Sequence, residues 1–381
     1  MRGAARLTLP VLARGAVAAG AALGAYAALR RYPPAGEETW LRTNHRGEHV
    51  TLLEGPAVTV GAVAAQVIIA AVGASAAGRQ AAALDYPERL RPSARPSAYP
   101  LAIAGLGGVA FGVIDDLRGS GKRRGLRGHL GALAHGEVTT GTVKLAGLAA
   151  SGLGAALLEG GDPADVAVNA GLIAGGANLL NLFDLRPGRA IKVATLTAGL
   201  IATASALSHG AGDAAAVKAP GRLAGLRAVA VPAGAALALL PEDLGERAML
   251  GDAGANALGA MLGTAAAQTL PKKARLGLLA GIVALTVASE KVSFTRVIEA
   301  TPALRWLDML GRRPVPLTAP VAAAAPVAAG PVAARHGLAA EPVALTRTER
   351  LAWWVRRRRP GRHRRNKAVV PSRLPSRGTS P

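Results

Sequence analysis

Five groups of polar residues interrupt this chain where apolar sequence would otherwise continue. Asp115 and Asp116 follow the apolar run 101–114 directly, so two adjacent carboxylates stand at the end of a hydrophobic segment. Such a pair repels itself unless a cation or a proton lies between its members, and a hard divalent ion with oxygen ligands is the simplest partner. Mg²⁺ suits one or two carboxylates completed by substrate phosphates; a solvated helix end is the plain alternative. Asn178, Asn181 and Asp184 are spaced by three, which places them on one arc of a helix. Inside a membrane that arc faces a cavity or bonds to neighbouring helices. Lys144 follows Thr139-Thr140-Gly141 at the start of another apolar run, as a phosphate ligand or as an interfacial lysine whose ammonium reaches for water. Gly251-Asp252-Ala253-Gly254 opens a further run, where glycines admit close backbone approach and a helix N-terminus favours an anion. Asp252 reads equally as an N-cap. Arg186, Arg189, Lys192 and Arg296 could bind phosphate, or could serve only to orient the chain by positive charge.

The elements that must position these groups are membrane spans. Half of the 381 residues are hydrophobic, 18% are charged and 48 are glycine, a composition better suited to lipid and to close helix contacts than to water. Nine stretches are long enough to cross a hydrocarbon core of roughly 30 Å: near 9–29, 57–77, 97–114, 142–158, 165–183, 190–208, 223–240, 252–269 and 275–289. The first ends at Arg30-Arg31 and reads as a retained span rather than a cleaved signal. The fold class expected is therefore all-α, a polytopic transmembrane helical bundle over residues 1–313. Residues 314–334 form an Ala/Pro-rich linker or a tenth span broken by Pro314, Pro316, Pro320, Pro326 and Pro331. Residues 335–381 read as a disordered basic tail with affinity for anionic membrane lipids.

That tail accounts for much of the formal net charge of +22. Aromatic residues are only 3%, so the charge is not expected to mark a nucleic-acid platform. The chain has no cysteine, which leaves oxygen and imidazole as the metal ligands.

Parity joins the groups. The loop 30–56, the loop beginning at Asp115, the loop at Asp184, the loop ending at Asp252 and the segment 290–313 are separated from one another by two spans each. An even number of crossings returns the chain to the same side, so all five meet on one face. That face carries more Lys and Arg than the other, which makes it cytoplasmic.

As an ordered set, Gly112-Val113-Ile114-Asp115-Asp116, Thr140-Gly141-Thr142-Val143-Lys144, Asn178-Leu179-Leu180-Asn181-Leu182-Phe183-Asp184 and Leu250-Gly251-Asp252-Ala253-Gly254 resemble the polyprenyl-phosphate N-acetylhexosamine-1-phosphate transferase family, glycosyltransferase family 4, which includes the phospho-N-acetylmuramoyl-pentapeptide transferase of peptidoglycan synthesis. The resemblance covers about residues 10–313. It implies ten helices, Mg²⁺, a nucleotide sugar as donor and a polyprenyl phosphate such as undecaprenyl phosphate as acceptor. It also implies that Asp115 and Asp116 serve the acceptor phosphate and the metal, with Asp184 as a third catalytic carboxylate, and that Asp116 and Asp252 ligate Mg²⁺. Lys144, Asn178 and Asn181 would then bind substrate; Arg186, Arg189 and Lys192, which lie outside the family's motifs, could bind its phosphates by another route, and a homodimer is a possible assembly.

This chain departs from that pattern in two places. Past Asp184 the family continues with Gly and a second Asp, whereas here Leu185-Arg186-Pro187-Gly188-Arg189 follows. The family's histidine-rich motif in the last cytoplasmic loop has no counterpart, since 290–313 contains no histidine. The alternative reading is a relative without catalysis that binds or transports a lipid phosphate.

Overall fold

In the computed structural model, the described residues are 2–83, 98–118, 131, 135–208 and 223–314. The chain divides near residue 315, and the second unit, 316–381, lies outside the described residues, as do the basic tail and nearly all of the proline-rich segment. In chain order the elements are α1 (Arg2–Arg31), α2 (Glu37–Trp40), β1 (Leu41–Thr43), β2 (His49–Thr51), α3 (Glu54–Ala83), α4 (Ala98–Arg118), α5 (Thr140–Glu159), α6 (Pro163–Phe183), α7 (Arg189–Ser208), α8 (Ala224–Leu244), α9 (Gly251–Thr269), α10 (Lys272–Ser289), α11 (Phe294–Ala300) and α12 (Pro302–Met309).

Each of the nine apolar stretches coincides with a long helix. Local chemistry sets several of their ends. Thr139 caps α5 by accepting from the Thr142 amide at 3.1 Å, and Gly160, at φ 77°, ends it. Asp162 caps α6 through the Asp165 amide at 2.7 Å, with Pro163 in the first turn, where its missing N–H costs nothing.

Seven helices, α1 and α3 to α8, are long and apolar enough to cross a membrane, and an eighth joins them if α10 and α11 are taken as one broken span. The helix that does not qualify, α9, has a physical reason to be less apolar: it is enclosed by protein. Sixteen of its 19 residues are buried, and it packs against every helix from α3 to α8. The neighbours come close because the contacts are made by small residues. A Cβ added at Gly112 of α4 would lie 2.5 Å from Ala253 Cα, and one added at Gly259 would lie 2.3 Å from the Gly176 carbonyl oxygen of α6. Any side chain there would force the helices apart. The core around this helix is accordingly Ala, Val and Leu, with Leu101, Ile191, Leu239, Leu258 and Met261 filling the gaps.

The loop 30–56 contains structure that the apolar pattern gave no reason to expect. β1 and β2 pair antiparallel, Arg42 opposite Val50, around a turn in which the Asn44 side chain accepts from the Arg46 and Glu48 amides at 2.8 and 2.9 Å. Trp40 is buried beside it and donates to the Pro34 carbonyl at 2.8 Å. The hairpin is tied to the loop before α9 through Met249 N–H donating to the Thr51 carbonyl at 3.0 Å.

Candidate functional site

Three helix ends meet directly. The Asp116 carboxylate, at the C-terminal end of α4, accepts from the backbone amides of Asp252 and Ala253 at 3.1 and 2.9 Å. It therefore caps the N-terminus of α9 from another helix, satisfying two amides that the helix itself cannot pair. The left-handed Gly251, at φ 65°, makes that approach feasible, because a Cβ there would stand 3.0 Å from an Asp116 oxygen. Asp115, next along α4, points elsewhere. Its Oδ2 lies 2.9 Å from the Lys144 ammonium on α5, and the same ammonium is 2.6 Å from Oδ2 of Asp252 on α9.

Lys144 is thus a buried cation between two carboxylates contributed by different helices. The two acids repel and the ammonium offsets the repulsion, so the three form one electrostatic unit. Beside them, Asp115, Gly141, Lys144, Asn178, Asn181, Ser289 and Glu290 line a cavity of about 130 Å³. Here two members of the helical arc read from the sequence, Asn178 and Asn181, open onto the same space as the acid-lysine unit, and the third, Asp184, does not.

Asp184 belongs to a second cavity, of about 220 Å³, shared with Asn44, His45, Arg186, Asp243 and Glu246. Burial pushes the Asp184 carboxyl well above the usual carboxylate range, and the charges of Asp243, Asp252 and Asp116 add to the effect. Arg186 lies on the rim of this cavity, 3.7 Å from Glu299.

Arg189 and Lys192 face a third environment. The Arg189 guanidinium donates to both oxygens of Asp308, at 2.7 and 3.0 Å, and to the Thr295 hydroxyl at 2.9 Å. Lys192 donates to the carbonyls of Leu307 and Asp308 at 3.1 and 2.7 Å. Both cations hold the α11–α12 segment against the N-terminal end of α7. Burial alone would raise the Asp308 carboxyl, but the Arg189 hydrogen bonds and the nearby Arg189, Arg312 and Lys192 charges hold it below the ordinary range.

Two carboxylates not singled out in the sequence join this end of the bundle. Glu54, which opens α3, is completely buried with neither oxygen hydrogen-bonded within the described structure. Asp243, near the end of α8, is 3% exposed and has one oxygen in the same condition. Their only sequence signal is position: each acid sits at the edge of a long apolar run, where a charge is costly to bury.

Among the described residues no group of three or more histidine, aspartate or glutamate side chains converges so as to hold a metal ion by itself. What does converge is a pair of oxygens, from Asp115 and Asp252, on the point where the Lys144 ammonium lies. Carboxylate oxygens are donors of the kind Mg²⁺ takes, and in this structure the point between them is filled by the Lys144 ammonium. Asp116, with both oxygens on backbone amides, is placed to orient α9 beneath that pair. No protein-family model matches the chain, and no curated protein matches it in sequence.

Proposed function

We propose that this protein is a multi-pass membrane enzyme that transfers a phosphosugar from a nucleotide sugar to a polyprenyl phosphate in cell-envelope glycan synthesis. In this reading nine spans cross the plasma membrane, and the acidic end of the bundle faces the cytoplasm. The observation that carries the proposal is the junction of Asp115, Lys144 and Asp252 from three helices beside a polar cavity lined by Asn178 and Asn181. Two phosphates brought together need their charge neutralised at one place, and an acid-cation-acid unit at a membrane surface can be reorganised to do that.

The reaction joins an oxygen of the lipid phosphate to the sugar-proximal phosphorus of the donor. The bond from that phosphorus to the bridging oxygen breaks, and a nucleoside monophosphate leaves with the electron pair. Lys144 is positioned to pass from the carboxylates to a phosphate oxygen, Asn178 and Asn181 to donate hydrogen bonds, and Asp116 to keep α9 in register. Mg²⁺, held by Asp115 and Asp252 together with substrate phosphate, would supply further neutralisation of the diphosphate.

Purified protein incubated with undecaprenyl phosphate, Mg²⁺ and a panel of labelled nucleotide sugars is expected to release nucleoside monophosphate with one of them. Asp116→Asn and Asp252→Asn variants of normal abundance should lose that activity. A second reading, a lipid-phosphate binding protein without turnover, is favoured by one feature: Arg189 and Lys192 are engaged by the α11–α12 segment, which also lacks histidine. Lipid phosphate bound without release of nucleotide from any donor, and unaffected by either substitution, would establish that second reading and end the first.

A further inference from the structure

At the end of α10 the chain turns sharply. α10 presents Leu276, Val283 and Val287 outward, each about half exposed, so its outer wall is apolar along the length of the bundle. α11 then runs at 93° to it. A helix perpendicular to a lipid-facing helix, at that helix's end, lies along the bilayer plane rather than through it.

The segment beginning there has two distinct sides. Its inner side is bonded to the bundle through Asp308, which is 7% exposed and held by Arg189. Its outer side carries Val292, Val297, Leu304, Trp306 and Leu310, exposed by 42 to 67%. Interleaved with them are the exposed bases Lys291, Arg296 and Arg305, which outnumber the exposed acid Glu299, itself 3.7 Å from Arg186. Apolar side chains with a tryptophan, flanked by cations, on a helix parallel to the membrane are the combination that rests at the boundary between acyl chains and anionic headgroups.

We infer that the outer side of α11–α12 docks on the anionic headgroup layer of the bilayer the bundle crosses. The occupant is lipid because exposed apolar residues follow one another along the chain from Val283 and Val287 of α10 through Val292 to Val297 of α11, and the net positive charge among them is complementary to acidic phospholipid. The inference rests on the multi-pass reading of the chain and not on the transferase reading, so absence of turnover leaves it standing. Since Asp308 ties the same segment to Arg189 and Lys192, lipid engagement also sets the position of the strap along the N-terminal end of α7.

The chain has no cysteine, so a single spin label can be placed without other changes. Full-length Val297→Cys and Leu304→Cys proteins are labelled, reconstituted into nanodiscs of phosphatidylglycerol or of phosphatidylcholine, and probed for collision with oxygen and with a water-soluble nickel chelate. In phosphatidylglycerol both labels should favour oxygen over nickel, at a depth shallower than a label at Val283→Cys. In phosphatidylcholine, or with Arg296→Gln and Arg305→Gln combined, they should shift toward the nickel-accessible phase. Free access of nickel in phosphatidylglycerol would overturn the inference, showing the surface in water. Shielding from both probes would overturn it in favour of a protein partner or a second copy, and equal depth in both lipids would remove the anionic selectivity it requires.

Discussion

The two ends of this bundle handle charge in opposite ways. At the end formed by Glu159, Asp162, Asp165, Lys272 and Arg275, each acid has a partner: Lys272 lies 3.3 Å from Asp162 and 3.4 Å from Asp165, Arg275 lies 3.0 Å from Asp165 and donates to Asn169 at 2.6 Å, and Glu159 accepts from the Gln268 amide at 2.7 Å. Several of these groups are half exposed and share their charge with water. At the other end, Glu54, Asp115, Asp116, Asp184, Asp243 and Asp252 are gathered, Lys144 bridges two of them, and among the described residues two of these carboxylates have oxygens without a hydrogen-bond partner. A balanced, half-exposed end costs little to fold, whereas an end crowded with buried like charge is costly, and such crowding is characteristic of functional sites.

The largest expected break in that contrast is Lys144→Met. With the ammonium gone, Asp115 and Asp252 face each other uncompensated, so nucleotide release should fall to background, and stability in detergent should drop by about 3–5 kcal/mol. If Lys144→Met keeps both activity and melting temperature, the acidic end is an ordinary solvated surface. Next in size, Asp308→Ala leaves the Arg189 guanidinium buried without its carboxylate, at a cost of about 3 kcal/mol, and limited proteolysis should cut between 290 and 313 before the rest of the bundle opens. The Asp308 carboxyl is depressed in the folded protein, so its contribution is complete above the ordinary aspartate pKa of about 3.9 and is lost as the pH falls below that value. The same cleavage should therefore appear in the unaltered protein only under strongly acidic conditions.

Smaller again, Gly112→Val forces α4 away from α9 and should destabilise by about 1–3 kcal/mol, read from thermal unfolding, while displacing Asp116 from the amides it caps. The smallest effect belongs to the balanced end. Lys272→Ala, at a pair whose side chains are about half exposed, should change neither stability nor activity measurably. A large loss there would show that the two ends differ less than their structures suggest.

Much of the bundle is legible in the sequence, because a span must be apolar over about 20 residues and that pattern survives any uncertainty at its ends. The reading falters at α9, since hydropathy measures what suits lipid and Asn256, Thr264 and Gln268 sit on a helix wrapped in protein. Parity of crossings places Asp115, Asp116, Lys144 and Asp252 on one face, and they are in contact there. What parity does not resolve is partnership on that face: that Asp115 rather than Asp116 shares Lys144 with Asp252, or that Arg189 finds Asp308 across 119 residues. Such pairing depends on rotations of helices about their axes, which a one-dimensional pattern leaves free. Glu54 and Asp243 belong to no recurrent motif, and the three-residue strands around Asn44 are too short for alternation to register.

The burial of α9 has a consequence for biogenesis. Of the nine long helices among the described residues it is the eighth to leave the ribosome, yet six of those made before it pack directly on it. Until it arrives, the glycine faces of α4 and α6 have nothing to close upon, and Asp116 has no amides to receive it. The earlier segments can pair among themselves, α1 with α3 and α8, and α5 with α4 and α6, but the centre of the bundle stays open until this late, weakly apolar helix is inserted.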